Sequence, residues 1–220
     1  MPRIALIHAL AHSVAPANAA FMRYWPEAER MNLLDDSLSA DLARRNQGLD
    51  QAMHDRFLKL ADYAKSTGAL AILFTCSAFG PCIEAVARRH ADIPVLKPNE
   101  AMIEDAVRER RRIGLVASFP PTLRSMPAEF PAGTALEVEL AEGAMRALDE
   151  GDVDRHDASV VAAALRLRSR GCELIALAQF SMAHAAPMVG AACDLPVLTT
   201  INSALAAIRR RLDQKANLAG

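Results

Sequence analysis

The sequence predicts an α/β protein made of two pseudo-symmetric lobes, each a parallel sheet flanked by helices, with the active site in the cleft between them. Three observations predict it. Short apolar runs alternate with long amphipathic stretches, the pattern of strands feeding helices in a parallel sheet. The chain describes itself twice: Arg3-Ile4-Ala5-Leu6-Ile7 returns as Arg112-Ile113-Gly114-Leu115-Val116, and Asp92-Ile93-Pro94-Val95-Leu96 as Asp194-Leu195-Pro196-Val197-Leu198. A repeat of roughly one hundred residues is too long for a solenoid unit and fits a duplicated lobe. The first lobe is expected over residues 1–105 with 201–220, the second over 106–200.

Each half opens on a strand, Arg3-Ile4-Ala5-Leu6-Ile7 or its second copy. Middle regions follow at 21–47 and 126–140, where the pattern resolves no element; they are expected to shape the pocket, with Tyr24 and Trp25 lining it or a subunit contact. Long helices are predicted near 49–66 and 153–170, stopped by Gly68 and Gly171 as helix C-terminal glycines. Apolar central strands come next, near 69–75 and 174–178, each leading into another helix. A short proline-containing strand and a further helix close each half, and the last helix, near 201–212, is expected to return to the first lobe. No Pro/Gly/Ser-rich linker separates the halves.

Composition narrows the partners. Basic and acidic residues number 25 and 26, for a formal net charge of −1, and no long basic block offsets that balance, so nucleic acid is not an expected partner. Arg108, Arg110, Arg111 and Arg112 alternate with Glu109 and read, like Arg209-Arg210-Arg211, as a solvated helix end. An apolar fraction of 52% excludes a disordered chain, and no apolar stretch reaches the length of a membrane span. The chain begins on a strand-like run with no basic and long apolar leader before it, which argues for a cytoplasmic protein. Cys76, Cys82, Cys172 and Cys193 form no CxxC pair and are expected to stay reduced, with Cys82 as packing. His8 and His12 are spaced for a metal on a helix but span a strand end and a loop, so no metal is expected. His54, His90 and His156 stand in charged helical contexts and are expected at the surface.

Cys76 is the focal residue. It ends the central strand of the first half, before Ser77-Ala78-Phe79-Gly80. In parallel sheets ligands bind at the carboxyl ends of strands. The amides of Ser77 and Ala78 are expected to open the next helix, to favour an anion and to lower the thiol pKa. The bland alternative is a packed, inert thiol. Aligning the halves from Gly68 and Gly171 puts Gln179 opposite Cys76; a gap of one residue would put Phe180 there.

With these motifs the chain resembles the aspartate/glutamate/hydantoin racemase superfamily. The resemblance rests on Thr75-Cys76-Ser77, on Leu177-Ala178-Gln179-Phe180-Ser181-Met182, and on Ile113-Gly114-Leu115-Val116-Ala117-Ser118 followed by Thr122, in that order over nearly the whole length. It implies a cofactor-independent enzyme, acting at the carbon next to a carboxylate of an amino acid or small dicarboxylate, and a homo-oligomer. Racemases of that family set one cysteine from each lobe on opposite faces of the reacting carbon. Here only Cys76 matches, as base or nucleophile, and the second position holds Gln179, whose amide neither accepts nor delivers a proton at neutral pH but could hydrogen-bond a substrate carboxylate or an enediolate oxygen, or simply be a satisfied buried amide. The resemblance therefore implies racemisation by default, or one-sided chemistry such as decarboxylation or double-bond isomerisation. A carboxylate-binding protein without catalysis is the rival class. Substrate contacts are expected, by resemblance, at Ser118, Thr122, His12, Ser13, Phe180 and Ser181, beside the Ser77 and Ala78 amides. Thr122 and Ser181 could equally cap helices, and His184 is an imidazole able to replace the missing acid, against the plainer reading of a helix-surface or packed histidine.

Overall fold

The computed structural model describes residues 1–45 and 48–219; Asn46 and Gln47 of the first middle region, and Gly220, lie outside the described residues. The first sheet has strands β1 (Arg3–His8), β2 (Glu29–Leu34), β3 (Ala71–Phe74) and β4 (Val95–Leu96), in spatial order β2-β1-β3-β4. The second has β5 (Ile113–Ala117), β6 (Leu136–Leu140), β7 (Leu174–Leu177) and β8 (Val197–Thr199), in the order β6-β5-β7-β8. Every pairing is parallel, and the two orders are the same. Register repeats as well: Ile4 pairs with Ala71, and its counterpart Ile113 pairs with Leu174.

Helices α1 (Val14–Tyr24), α2 (Ser37–Arg45), α3 (Gln51–Ser66) and α4 (Gly80–Arg89) belong to the first lobe. The second carries α5 (Glu100–Arg108), α6 (Pro120–Ser125), α7 (Ala144–Asp149), α8 (Val153–Ser169) and α9 (Ala186–Cys193). The last helix, α10 (Thr200–Ala219), runs further than the sequence pattern suggested. One compact unit is Met1–Pro98 together with the chain from Ala204 onward; the other is Asn99–Ser203. Helix α5 falls in the second unit because Met102, Ile103 and Ala106 are buried among Ile113, Leu115 and Leu174.

Asp50 and Asp152 cap α3 and α8, each accepting from the amide three residues on, Met53 at 2.8 Å and Arg155 at 3.0 Å. Both helices end before a glycine at φ +84°, Gly68 and Gly171, a conformation that a side chain would strain. The sheets are buried on both faces. In the second lobe Val116, Ile175 and Leu177 point toward α8 and α9, while Leu115, Leu174 and Ala176 point toward α5, the alternation that a strand's period of two dictates.

The edge strands β2 and β6 were not resolved from sequence. Both mix charged with apolar residues, Glu29-Arg30-Met31-Asn32 and Leu136-Glu137-Val138-Glu139, because a parallel edge strand is only partly covered. Each is tied by an ion pair to the arginine that precedes the first apolar residue of the opening strand, Arg3–Glu29 at 2.7 Å and Arg112–Glu137 at 2.6 Å, though the two acids are not in equivalent register. Pro120 and Pro121 do not merely stiffen a loop; they start α6, where a missing amide hydrogen costs nothing.

Candidate active site at two equivalent strand ends

The two halves turn in the same way after their central strands. Cys76 is the extended residue (φ −125°, ψ 120°) ahead of a 3-10 turn at Ser77–Phe79, which leads into α4. Gln179 is the extended residue (φ −122°, ψ 149°) ahead of a 3-10 turn at Phe180–Ala185, which leads into α9. Each follows the last paired strand residue, Phe74 or Leu177, by two positions. Gln179, not Phe180, is therefore the counterpart of Cys76; Phe180 is buried in the core.

Cys76 is half-buried and packs against the first-lobe core. Ile7, His8, Ala9, Leu38, Phe57 and Phe74 line a recess beside it that is too tight for water. Burial in this apolar wall pushes the thiol pKa up, while hydrogen bonds from the Ala78 amide and the Ser39 hydroxyl pull it down without overcoming the burial. This corrects the expectation of a thiol lowered by a helix N-terminus. The residues after Cys76 form a three-residue 3-10 turn, and the Ala78 amide is directed at the sulfur itself. Ser39 lies in α2, within the middle region that the sequence left unread. Ser77 is half-buried and Ala78 exposed.

Beneath this turn the polar groups hold one another. Ser13 is 7% exposed; its Oγ donates to the Leu10 carbonyl at 2.7 Å and lies 2.9 Å from both His8 Nδ1 and Thr75 Oγ1. Thr75 Oγ1 is 3.0 Å from His8 Nδ1. His8 Nε2 donates to Asn32 Oδ1 at 3.0 Å, a direction fixed because Asn32 Nδ2 donates in turn to Asn18. His8 is fully buried, which lowers its pKa, and the Asn32 contact opposes that only in part. Sequence reading missed this network; the signal was a polar pair, Thr75 and His8, closing two apolar strands. His12 is exposed on the neighbouring 3-10 turn.

The second strand end is also knitted together. Gln179 Oε1 accepts from the Ser118 amide at 3.0 Å, and Gln179 Nε2 donates to Thr122 Oγ1 at 3.0 Å. The amide thus braces the loop after β5 against the end of β7. Thr122, buried within α6 and not capping it, accepts from Gln179 and so keeps its own proton to donate. Ser118 is buried, with Oγ 3.5 Å from Gln179 Oε1. Ser181 is buried inside its turn and does not cap α9.

Two histidines depart from expectation. His90 is 6% exposed, 2.9 Å from Asp62, and His156 is fully buried on the first turn of α8. A charged neighbourhood in sequence does not reveal which side of a helix faces inward.

The sequence profile of the Asp/Glu/hydantoin racemase family matches residues 18–208. The chain belongs to that family. No curated protein matches it at a significant level. Among solved structures of the racemase fold, it is similar to allantoin racemase from Klebsiella pneumoniae, at 17% identity and TM-score 0.73, covering 98% of this chain and 89% of that one. Glutamate racemase from Thermus thermophilus in complex with beta-chloro-D-alanine gives 20% identity and TM-score 0.70, over 98% and 82% of the two chains. Unliganded arylmalonate decarboxylase gives 15% identity and TM-score 0.63, over 96% and 93%. At these identities the likeness speaks for the fold alone. Among the described residues of this family member, no helix is long and apolar enough to cross a membrane.

Proposed function

We propose that this racemase-family protein is a one-thiol enzyme in which Cys76 delivers a proton to the carbon next to a carboxylate, and that its substrate is a small dicarboxylate that loses carbon dioxide. The observation that carries the reading is the equivalence of Cys76 and Gln179. Racemisation through two thiols needs a proton carrier at both places, and an amide is not one.

The thiol's surroundings support the direction of transfer. A sulfur whose pKa is raised by burial rests in its protonated form and enters the reaction as an acid. The reaction then has to generate its carbanion without a protein base. Decarboxylation does so: the carbon–carbon bond to one carboxylate breaks, carbon dioxide leaves, and its electron pair remains on the α-carbon as an enediolate. The Cys76 S–H bond supplies the proton, and the thiolate recovers one from solvent, readily because its pKa is high. In the second lobe Gln179 is the positioning residue that aims Thr122 and Ser118, and the Thr122 hydroxyl proton suits a carboxylate. Ser77 and Ala78 follow Cys76 in its turn, as Phe180 and Ser181 follow Gln179 in the other.

The test is incubation with 2-substituted malonates, α-amino dicarboxylates and hydantoins in D2O. The expected result is carbon dioxide release from a malonate and one deuterium at the α-carbon of the product, with both lost in Cys76→Ala. Inversion of an amino acid without gas release would overturn the decarboxylase reading. Binding of these acids without any turnover would replace it with a carboxylate-binding protein.

A further inference from the structure

We propose that His156, Asp157 and His184 form a binding site for one divalent cation of the zinc class, a site that the proposed chemistry does not use. The three residues come from two elements that topology brings together. The chain leaves the carboxyl end of β6 and returns to the amino end of β7 through α8, so the first turn of α8 lies at the carboxyl end of the second sheet. The 3-10 turn after β7 lies at that same end. His156 and Asp157 stand on the first, His184 on the second.

Their geometry converges on one point. His156 Nδ1 is 2.8 Å from Asp157 Oδ1, and His184 Nε2 is 2.8 Å from the same oxygen. One ligand atom from each residue lies within 4.8 Å of the other two. Two imidazole nitrogens thus face the spot that a single carboxylate oxygen occupies. A cation there needs nitrogens at about 2.0–2.1 Å. From 2.8 Å the rings reach that distance by closing roughly 0.7–0.8 Å, and the carboxylate swings aside to become the third ligand. Two imidazoles and one carboxylate match the donor preference of zinc, and three protein ligands leave a fourth position open.

Burial and charge favour an occupant. Asp157 is 6% exposed, and among the described residues its partners are these two imidazoles, with no lysine or arginine to neutralise it. A buried carboxylate without a permanent cation is costly, and a divalent ion removes that cost. His156 is fully buried, and its Nε2 has no partner among the described residues; its Nδ1 contact with Asp157 and its stacking on His184, 5.1 Å between ring centroids, set the direction of the ring. The His184 side chain is 37% exposed, which gives an ion a way in and leaves room for water at the open position.

The test is titration of untagged full-length protein with zinc chloride by calorimetry, with cobalt(II) absorption as a second readout. The expected result is one zinc per chain, and cobalt bands of a four- or five-coordinate ion. His184→Ala and Asp157→Asn, chosen because they spare the fully buried His156, should each weaken binding by more than the roughly 10–100-fold that loss of an outer-shell partner costs. Cys76→Ser and Cys172→Ser should leave it unchanged. Far-UV circular dichroism of each variant checks that it is folded. No stoichiometric zinc, or zinc that survives both His184→Ala and Asp157→Asn, or zinc lost only with the thiols, would each overturn the site; two hydrogen bonds to a carboxylate would then be its whole content.

Discussion

The turn at Cys76 and the turn at Gln179 are the same piece of backbone with opposite chemistry. Both follow a four-residue central strand, both hold their key residue extended, and both pass through a 3-10 turn into a helix. In the first lobe the key side chain faces an apolar wall, and its sulfur keeps a transferable proton. In the second it is an amide committed to Ser118 and Thr122, a brace with no proton to give. Duplication fixes where a side chain is presented; the side chain and its surroundings decide what it does there.

Substitutions can break this contrast. Cys76→Ala should lower turnover most, by about 10²–10⁴-fold, the usual contribution of a positioned acid, with folding stability little changed. Gln179→Ala should cost less. It removes two hydrogen bonds of about 1 kcal/mol each, so if the whole loss falls on the transition state the rate drops roughly 30-fold, and the Michaelis constant rises if Thr122 binds the ground state too. Steady-state kinetics on the malonate identified in D2O reads both. Equal and total loss in the two variants would mean that Gln179 does more than position Thr122 and Ser118.

Protonation gives a smaller effect. His8 is buried neutral with its pKa below the ordinary 6.5, so the unfolded chain takes up a proton first as pH falls. Stability should therefore be fully present above that value, decline as pH drops from about 6.5 toward the folded pKa, and stop declining on this account below it. Urea midpoints between about pH 8 and pH 5 should slope less in His8→Gln than in the parent, since the variant no longer carries that group. An unchanged slope would locate the acid sensitivity in another histidine.

Much of the fold was legible in the sequence, and for a physical reason. Strands buried on both faces are written as apolar runs such as Ala71-Ile72-Leu73-Phe74, and Gly68 and Gly171 mark helix ends by a conformation that other residues resist. The edge strands were not legible, because exposure lets Glu29, Arg30, Glu137 and Glu139 interrupt the pattern. For the site, sequence gave the position of Cys76 and its counterpart but not their electrostatics. The Ser39 contact and the recess formed by Leu38 and Phe57 come from segments far along the chain, and such proximity leaves no local trace. The fate of Gln179 was hidden likewise, since its partners lie 57 and 61 positions away.

The smallest expected change concerns Ser39. Its hydroxyl opposes the burial of Cys76, so Ser39→Ala should raise the thiol pKa further and slow alkylation near neutral pH, with the direction as the only readout needed.

The proposed proton transfer rests most directly on the charge state of one sulfur. The rate of Cys76 alkylation by iodoacetamide should be measured against pH, with Cys76→Ser as the blank for the three buried thiols. A thiol that acts as an acid should give a rate still rising past the ordinary thiol value of 9.0, the mark of a group protonated at neutral pH. A rate already level by about pH 7, as for a thiolate stabilised at a helix N-terminus, would contradict it.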